Sequence, residues 1–133
     1  MGRLSALADG HRILGLAFMV GTAVLAVWGF LCHRRRAPLP PAYWHGLRAG
    51  GAAVGLQVLS GLALLAGGRH PRDELHLMYA GLVTAGIALA ELLRPGASLG
   101  RILREEGRFS EAGTYALLTA MVSLLTLRLW MTG

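Results

Sequence analysis

The chain has 133 residues, of which 54% are apolar, only 15% are charged and 19 are glycine. A soluble domain of this length carries about 25% charged residues, so a water-facing surface over most of the molecule is excluded, and 14.1 kDa leaves room for one domain, 1–133, and no separate catalytic module. All 13 basic residues are arginine, against 7 acids, and they are spread along the chain rather than gathered on one face, which excludes nucleic acid as the explanation of the charge.

Crossing the hydrocarbon takes about 20 mostly apolar residues. Residues 13–32 supply that length without a charged side chain and predict a first transmembrane helix over 11–33. A cleaved signal peptide is the competing reading, but the basic cluster Arg34, Arg35, Arg36 follows the apolar run instead of preceding it, so the segment is expected to be retained. After the Ala-Pro-Leu-Pro-Pro turn, residues 44–68 form the second predicted span, with Tyr43 and Trp44 at its entry as interfacial aromatics.

A short connector around Pro71 leads to a third span, 74–94, which ends at Pro95. In the next connector, residues 98–106 place Leu99, Ile102 and Leu103 on one helical face and Arg101, Arg104 and Glu105 elsewhere, the pattern of a short interfacial helix. The fourth span covers 112–131. The expected fold is an all-α integral membrane four-helix bundle, antiparallel and up-down, with the interfacial helix before its last span. Gly51/Gly55, Gly81/Ala85 and Gly86/Ala90 have the small-xxx-small spacing that brings helices together in lipid.

Arginines set the orientation. The N-terminus, the second connector and the C-terminus hold Arg3, Arg12, Arg69, Arg72 and Arg128, whereas the first and third connectors with their flanks hold Arg34, Arg35, Arg36, Arg48, Arg94, Arg101, Arg104 and Arg108. The richer side is expected to be cytoplasmic, which puts both termini outside in a bacterial or archaeal cell membrane.

Five histidines and Cys32 are the side chains best suited to a transition metal, and a lone cysteine makes no internal disulfide or Cys-x-x-Cys motif. In an up-down bundle the first and third helices run parallel, so His11 and His76, each at a helix start, share one depth and can face each other. Two imidazoles on opposite faces of a macrocycle are what a b-type heme requires, and bundle cores commonly build such sites. Arg12, Arg69, Arg72 and Arg128 fall on the same side, where anionic propionates want cations. For Arg128 a plain snorkelling role is equally open. Gln57, at mid-helix beside Ser60, needs hydrogen-bond partners at that depth. His33 and His45 lie at the other surface, where the adjacent arginines favour an anionic-lipid face over a second metal. No hydrolytic triad, zinc His-Glu-x-x-His, Walker loop or dinucleotide fingerprint is present.

The order His11-Arg12, then Gln57-x-x-x-Gly61, then His76-Leu77-x-x-Ala80 resembles one four-helix half of the heme A synthase family, over residues 11–90. The resemblance implies a membrane heme protein in which His11 and His76 are the iron ligands near the outer surface. It also implies electron transfer or heme handling, with membrane lipids and a respiratory complex or redox partner as company. Position 8, where that family carries a glutamate, is Ala8. The other class of function open to the sequence is a cofactor-free accessory or scaffold subunit of a larger membrane complex.

Overall fold

Proline and glycine set several of the helix limits in this chain. The computed structural model describes residues 2–105 and 110–132, and among the described residues there are helices and turns but no strand. In order the helices are α1 Gly2–Arg34, α2 Pro41–Ala66, α3 Leu75–Leu92, α4 Ser98–Glu105 and α5 Glu111–Thr132. α2 opens on Pro41, whose missing N–H costs nothing in a first turn. It closes before Gly67 and Gly68, the latter at a left-handed φ of 78°. α1 closes with Arg36 at φ 51°, the Arg36 amide donating to His33 and the Ala37 amide to Cys32.

Four of these helices, α1, α2, α3 and α5, are long and apolar enough to cross a membrane. Their outward faces carry apolar side chains that a water-soluble bundle would bury, among them Ile13, Leu59, Leu117 and Leu124, each about two-thirds exposed. α1 starts nine residues earlier than the sequence predicts. Gly10 does not interrupt it, because Leu4, Ala8 and His11 continue one helical face and Leu4 lies against Gly67 at the end of α2. The search for an uncharged run finds only the stretch fit for hydrocarbon and stops at Arg12.

Contacts between helices follow a simple order. From α1 to α2, Leu4 meets Gly67, His11 meets Ser60, Phe18 meets Gly50 and Leu25 meets Gly46. From α1 to α5, Met19 meets Ser123, Gly29 meets Ala116 and His33 meets Ser110. From α3 to α5, His76 meets Leu129, Gly86 meets Val122 and Ala90 meets Tyr115. In each set the residue number rises on one helix as it falls on the other. α1 and α3 sit diagonally across the bundle without backbone contact.

One core cluster gathers Leu25, Leu39, Tyr43, Leu47, Ala90, Leu93, Ala112 and Tyr115, and a second gathers Phe18, Val54, Val83, Ile87 and Val122. In the first, the fully buried Tyr115 donates its hydroxyl to the Ala90 carbonyl at 2.8 Å. Tyr43 and Trp44 meet Tyr115 edge to face, with centroids at 6.4 and 4.9 Å. Edge-to-face pairs add about 0.5–1.5 kcal/mol each beyond burial. α4 packs Leu99 and Leu103 against this cluster while Ile102 points away, 56% exposed, so the apolar face expected for this segment is divided between core and surface. The predicted extension of α4 to Glu106 lies outside the described residues, as does Arg108.

The small-residue pairs legible in the sequence differ in how closely they are packed. Around Gly55 and Gly81 there is open space, and Gly51 lies at ordinary distance from Ile87, whereas Gly86 sits close under Val122, a Cβ there standing 2.7 Å from its Cγ2. Between α1 and α5, Gly29 packs directly on backbone, where a Cβ would stand 3.2 Å from the Cα and N of Ala116. Gly29→Val should therefore force α1 from α5 and cost about 1–3 kcal/mol, as overpacked cores do. Gly55→Val should be close to neutral. Thermal melting of the two variants in the same detergent checks the difference, and equal melting temperatures would contradict this packing.

Candidate functional site

His11 is placed by α2. Gly61 leaves room for its ring, since a Cβ there would be 3.4 Å from the imidazole Cε1. Ser60, on the same helix, faces the ring Nδ1 at 2.8 Å. The carbonyl of Gln57, at 3.1 Å, is an acceptor for the Ser60 hydroxyl proton; with the proton there, the serine oxygen accepts from the ring and Nδ1 carries the hydrogen. Gln57 then reaches back across the helix pair, its amide Nε2 donating to the His11 carbonyl at 2.9 Å. That reach passes over Gly15, where a Cβ would come within 2.7 Å of Nε2. The Gln57 Oε1 atom is buried without a hydrogen-bond partner.

His76, in the first turn of α3, donates through Nδ1 to the Leu129 carbonyl at 3.2 Å. Leu129 lies in the last turn of α5, and its carbonyl also accepts the Thr132 hydroxyl at 3.1 Å. With these bonds both imidazoles hold their hydrogen on Nδ1 and keep the Nε2 lone pair, the state in which histidine binds a metal. α1 and α3 share no backbone contact, so each ring is held through a different neighbour, His11 by α2 and His76 by α5.

Arg12, Arg69, Arg72 and Arg128 are all exposed at this end of the molecule, and none has a carboxylate within ion-pair distance among the described residues. Arg12 follows His11, Arg128 precedes Leu129, and the contact of Leu4 with Gly67 brings the connector bearing Arg69 and Arg72 beside the start of α1. They surround the end of the bundle; no contact joins them to the imidazoles.

The remaining histidines are not drawn together. His33 bonds Ser110 at 3.0 Å, His45 bonds the Pro41 carbonyl of its own helix at 2.9 Å, and His70 is exposed. Among the described residues no group of three or more His, Cys, Asp or Glu side chains converges, so a closed tetrahedral cage is not what these residues offer. Two apolar grooves run elsewhere. One, of about 630 Å³, lies between α1 and α5 and includes Val24, Trp28 and Leu124; the other, of about 440 Å³, lies between α1 and α2 and includes Phe18 and Gly46. Neither contains a histidine.

The two imidazoles lie at the same end of the bundle, on helices that make no backbone contact with each other. The sequence identifies His11, His76 and Gln57. The Leu129 carbonyl and Gly15 it leaves unmarked, the first because a backbone acceptor has no residue-type signature, the second because one glycine among 19 has none either. Comparison of the chain with known protein families, with curated proteins and with solved structures finds no match.

Proposed function

We propose that this chain is a multi-pass membrane protein that binds a b-type heme between His11 and His76 and serves electron transfer or heme handling in a respiratory membrane. The observation that carries the reading is the pair of Nδ1 hydrogen bonds, His11 to Ser60 and His76 to Leu129, which leaves two Nε2 lone pairs at one end of the bundle. The four long helices form an antiparallel up-down bundle in a bacterial or archaeal cell membrane, a reading supported by the opposed numbering of the contacts of α1 with α2, α1 with α5 and α3 with α5. α4 lies at the cytoplasmic interface, and both termini are outside, in line with the arginine-rich first and third connectors.

A heme in this place would supply reversible one-electron chemistry at its iron. The protein's own part is to hold and tune. Ser60 fixes the His11 ring in one tautomer and Leu129 does the same for His76, which raises the basicity of each ligand. Gln57 ties the backbone of α1 at His11 to α2, and its buried Oε1 offers an acceptor beside the ligand. Arg12, Arg69, Arg72 and Arg128 offer cations at the surface where carboxylates of the group would emerge.

An absorption spectrum of detergent-purified protein, with and without dithionite, tests the reading. A Soret band that sharpens on reduction is expected; a colourless preparation from heme-replete cells would overturn it and favour the cofactor-free accessory subunit. His11→Ala and His76→Ala should each shift the ferrous spectrum toward high spin and weaken heme retention, whereas His45→Ala and His33→Ala should do neither. Ser60→Ala should keep both ligands but lower heme affinity about 10-fold, the low end for loss of a partner to a metal-ligating histidine. Arg128→Ala should preserve the spectrum and lower the midpoint potential on the order of tens of millivolts, because removal of a cation favours the more positive ferric state. Potentiometric titration of wild type and variant measures it.

A further inference from the structure

The end of the bundle opposite the histidine pair carries a feature that the heme reading does not use. α1 closes there in three consecutive arginines, Arg34, Arg35 and Arg36, all exposed. Two arginines nearby are paired, Arg94 with Glu91 at 3.7 Å and Arg104 with Glu111 at 2.8 Å. Those are the two carboxylate side chains described at this end, so Arg34, Arg35, Arg36, Arg48 and Arg101 are left without an ion pair among the described residues.

The backbone fixes this segment. Arg36 takes a left-handed φ of 51°, a conformation glycine enters more easily, and the amides of Arg35, Arg36 and Ala37 all bond back into α1. Leu39 then plugs into the core cluster, 7% exposed, between Pro38 and Pro40. Three cations are thus held on a short, anchored elbow. Around the same cluster sit the half-buried Trp28 and Trp44, and α4, which packs Leu99 and Leu103 inward while Arg101 and Ile102 stay exposed. Indole rings at an interface, an outward apolar side chain and unpaired guanidinium groups together match the layer where acyl chains give way to phosphates.

We propose that the elbow Arg34, Arg35, Arg36 is a binding surface for the phosphodiester headgroups of anionic phospholipids. Arginine donates to phosphate oxygens through a planar fork, and each basic residue near an anionic surface strengthens binding about fivefold. Three of them predict a preference for anionic over zwitterionic lipid of about a hundredfold. The surface is independent of the heme reading, since neither His11 nor His76 takes part.

The test uses the full chain in a neutral detergent, titrated with dioleoylphosphatidylglycerol or dioleoylphosphatidylcholine, with bound lipid counted by native mass spectrometry. Wild type should favour phosphatidylglycerol about a hundredfold, and the preference should collapse when salt is raised to about 1 M, where screening acts within about 3 Å. The variant R34Q/R35Q/R36Q should bind both lipids alike. Single Arg→Gln variants should each lose about fivefold, which keeps the test readable if the triple variant does not fold. The equal charge change at the opposite end, R3Q/R69Q/R72Q, should retain the preference. Equal binding of the two lipids by wild type, an unchanged preference in R34Q/R35Q/R36Q, the same loss in R3Q/R69Q/R72Q, or displacement of the lipid by an equal concentration of inorganic phosphate would each overturn the proposal.

Discussion

A donor placed inside a bundle of apolar helices has no water to turn to, and an unpaired one costs several kcal/mol in hydrocarbon. Most of the buried hydroxyls meet this constraint; the Tyr43 hydroxyl, buried without a partner, does not. Thr22, Thr119 and Thr126, all buried, give their hydroxyl protons to carbonyls one turn back in their own helices, at 3.0, 2.6 and 2.7 Å. Tyr115 crosses to Ala90 and Ser123 crosses to Met19. The same rule settles the imidazoles. His11 and His76 each place their one hydrogen on a neighbouring helix, and what is left over is the lone pair on the far side of each ring. The lone pairs on which the proposed heme binding rests are the remainder of a hydrogen-bond requirement that the fold has already met.

Close backbone approach is the second condition, because lipid gives helices no hydrophobic reason to associate and packing must supply it. Gly29 against Ala116 lets α1 lie directly on α5, and Gly15 and Gly61 let Gln57 and His11 cross the seam between α1 and α2. Gly100 has a related use outside the spans: it rests on the carbonyls of Leu93 and Arg94, where a Cβ has no room, and so seats α4 under the end of α3. Without the glycine on each seam, the polar bridges that orient the histidine would be too long to form.

The two ends of the molecule answer different needs. At one, a serine hydroxyl and a backbone carbonyl hold two imidazoles amid exposed arginines. At the other, Trp28, Tyr43, Trp44 and Tyr115 interlock edge to face and are ringed by cations. The aromatic end ties α1, α2 and α5 together, and through Ala90 it also ties in α3. The histidine end then needs only single hydrogen bonds to complete its geometry.

By itself the sequence determined the class and the number of spans, because length, missing charge and proline position act locally and need no neighbour to be read. It marked His11, His76 and Gln57 by residue type and spacing. The limits of α1 it missed, since Leu4 and Ala8 are helical by virtue of lying on α2 and carry no span signal. The GxxxG at Gly51 and Gly55 was visible, yet the packing on a partner's backbone is at Gly29, because a spacing motif says which residues are small and not which face meets a partner. Ile102 likewise shared a face with Leu99 and Leu103 on paper, but the width of the core cluster admitted only the two leucines. Which nitrogen of each imidazole stays free was beyond the sequence altogether: Ser60 is 49 residues from His11, and Leu129 is 53 from His76. Only tertiary packing brings those acceptors to the rings, and a backbone carbonyl leaves no trace in the order of side chains.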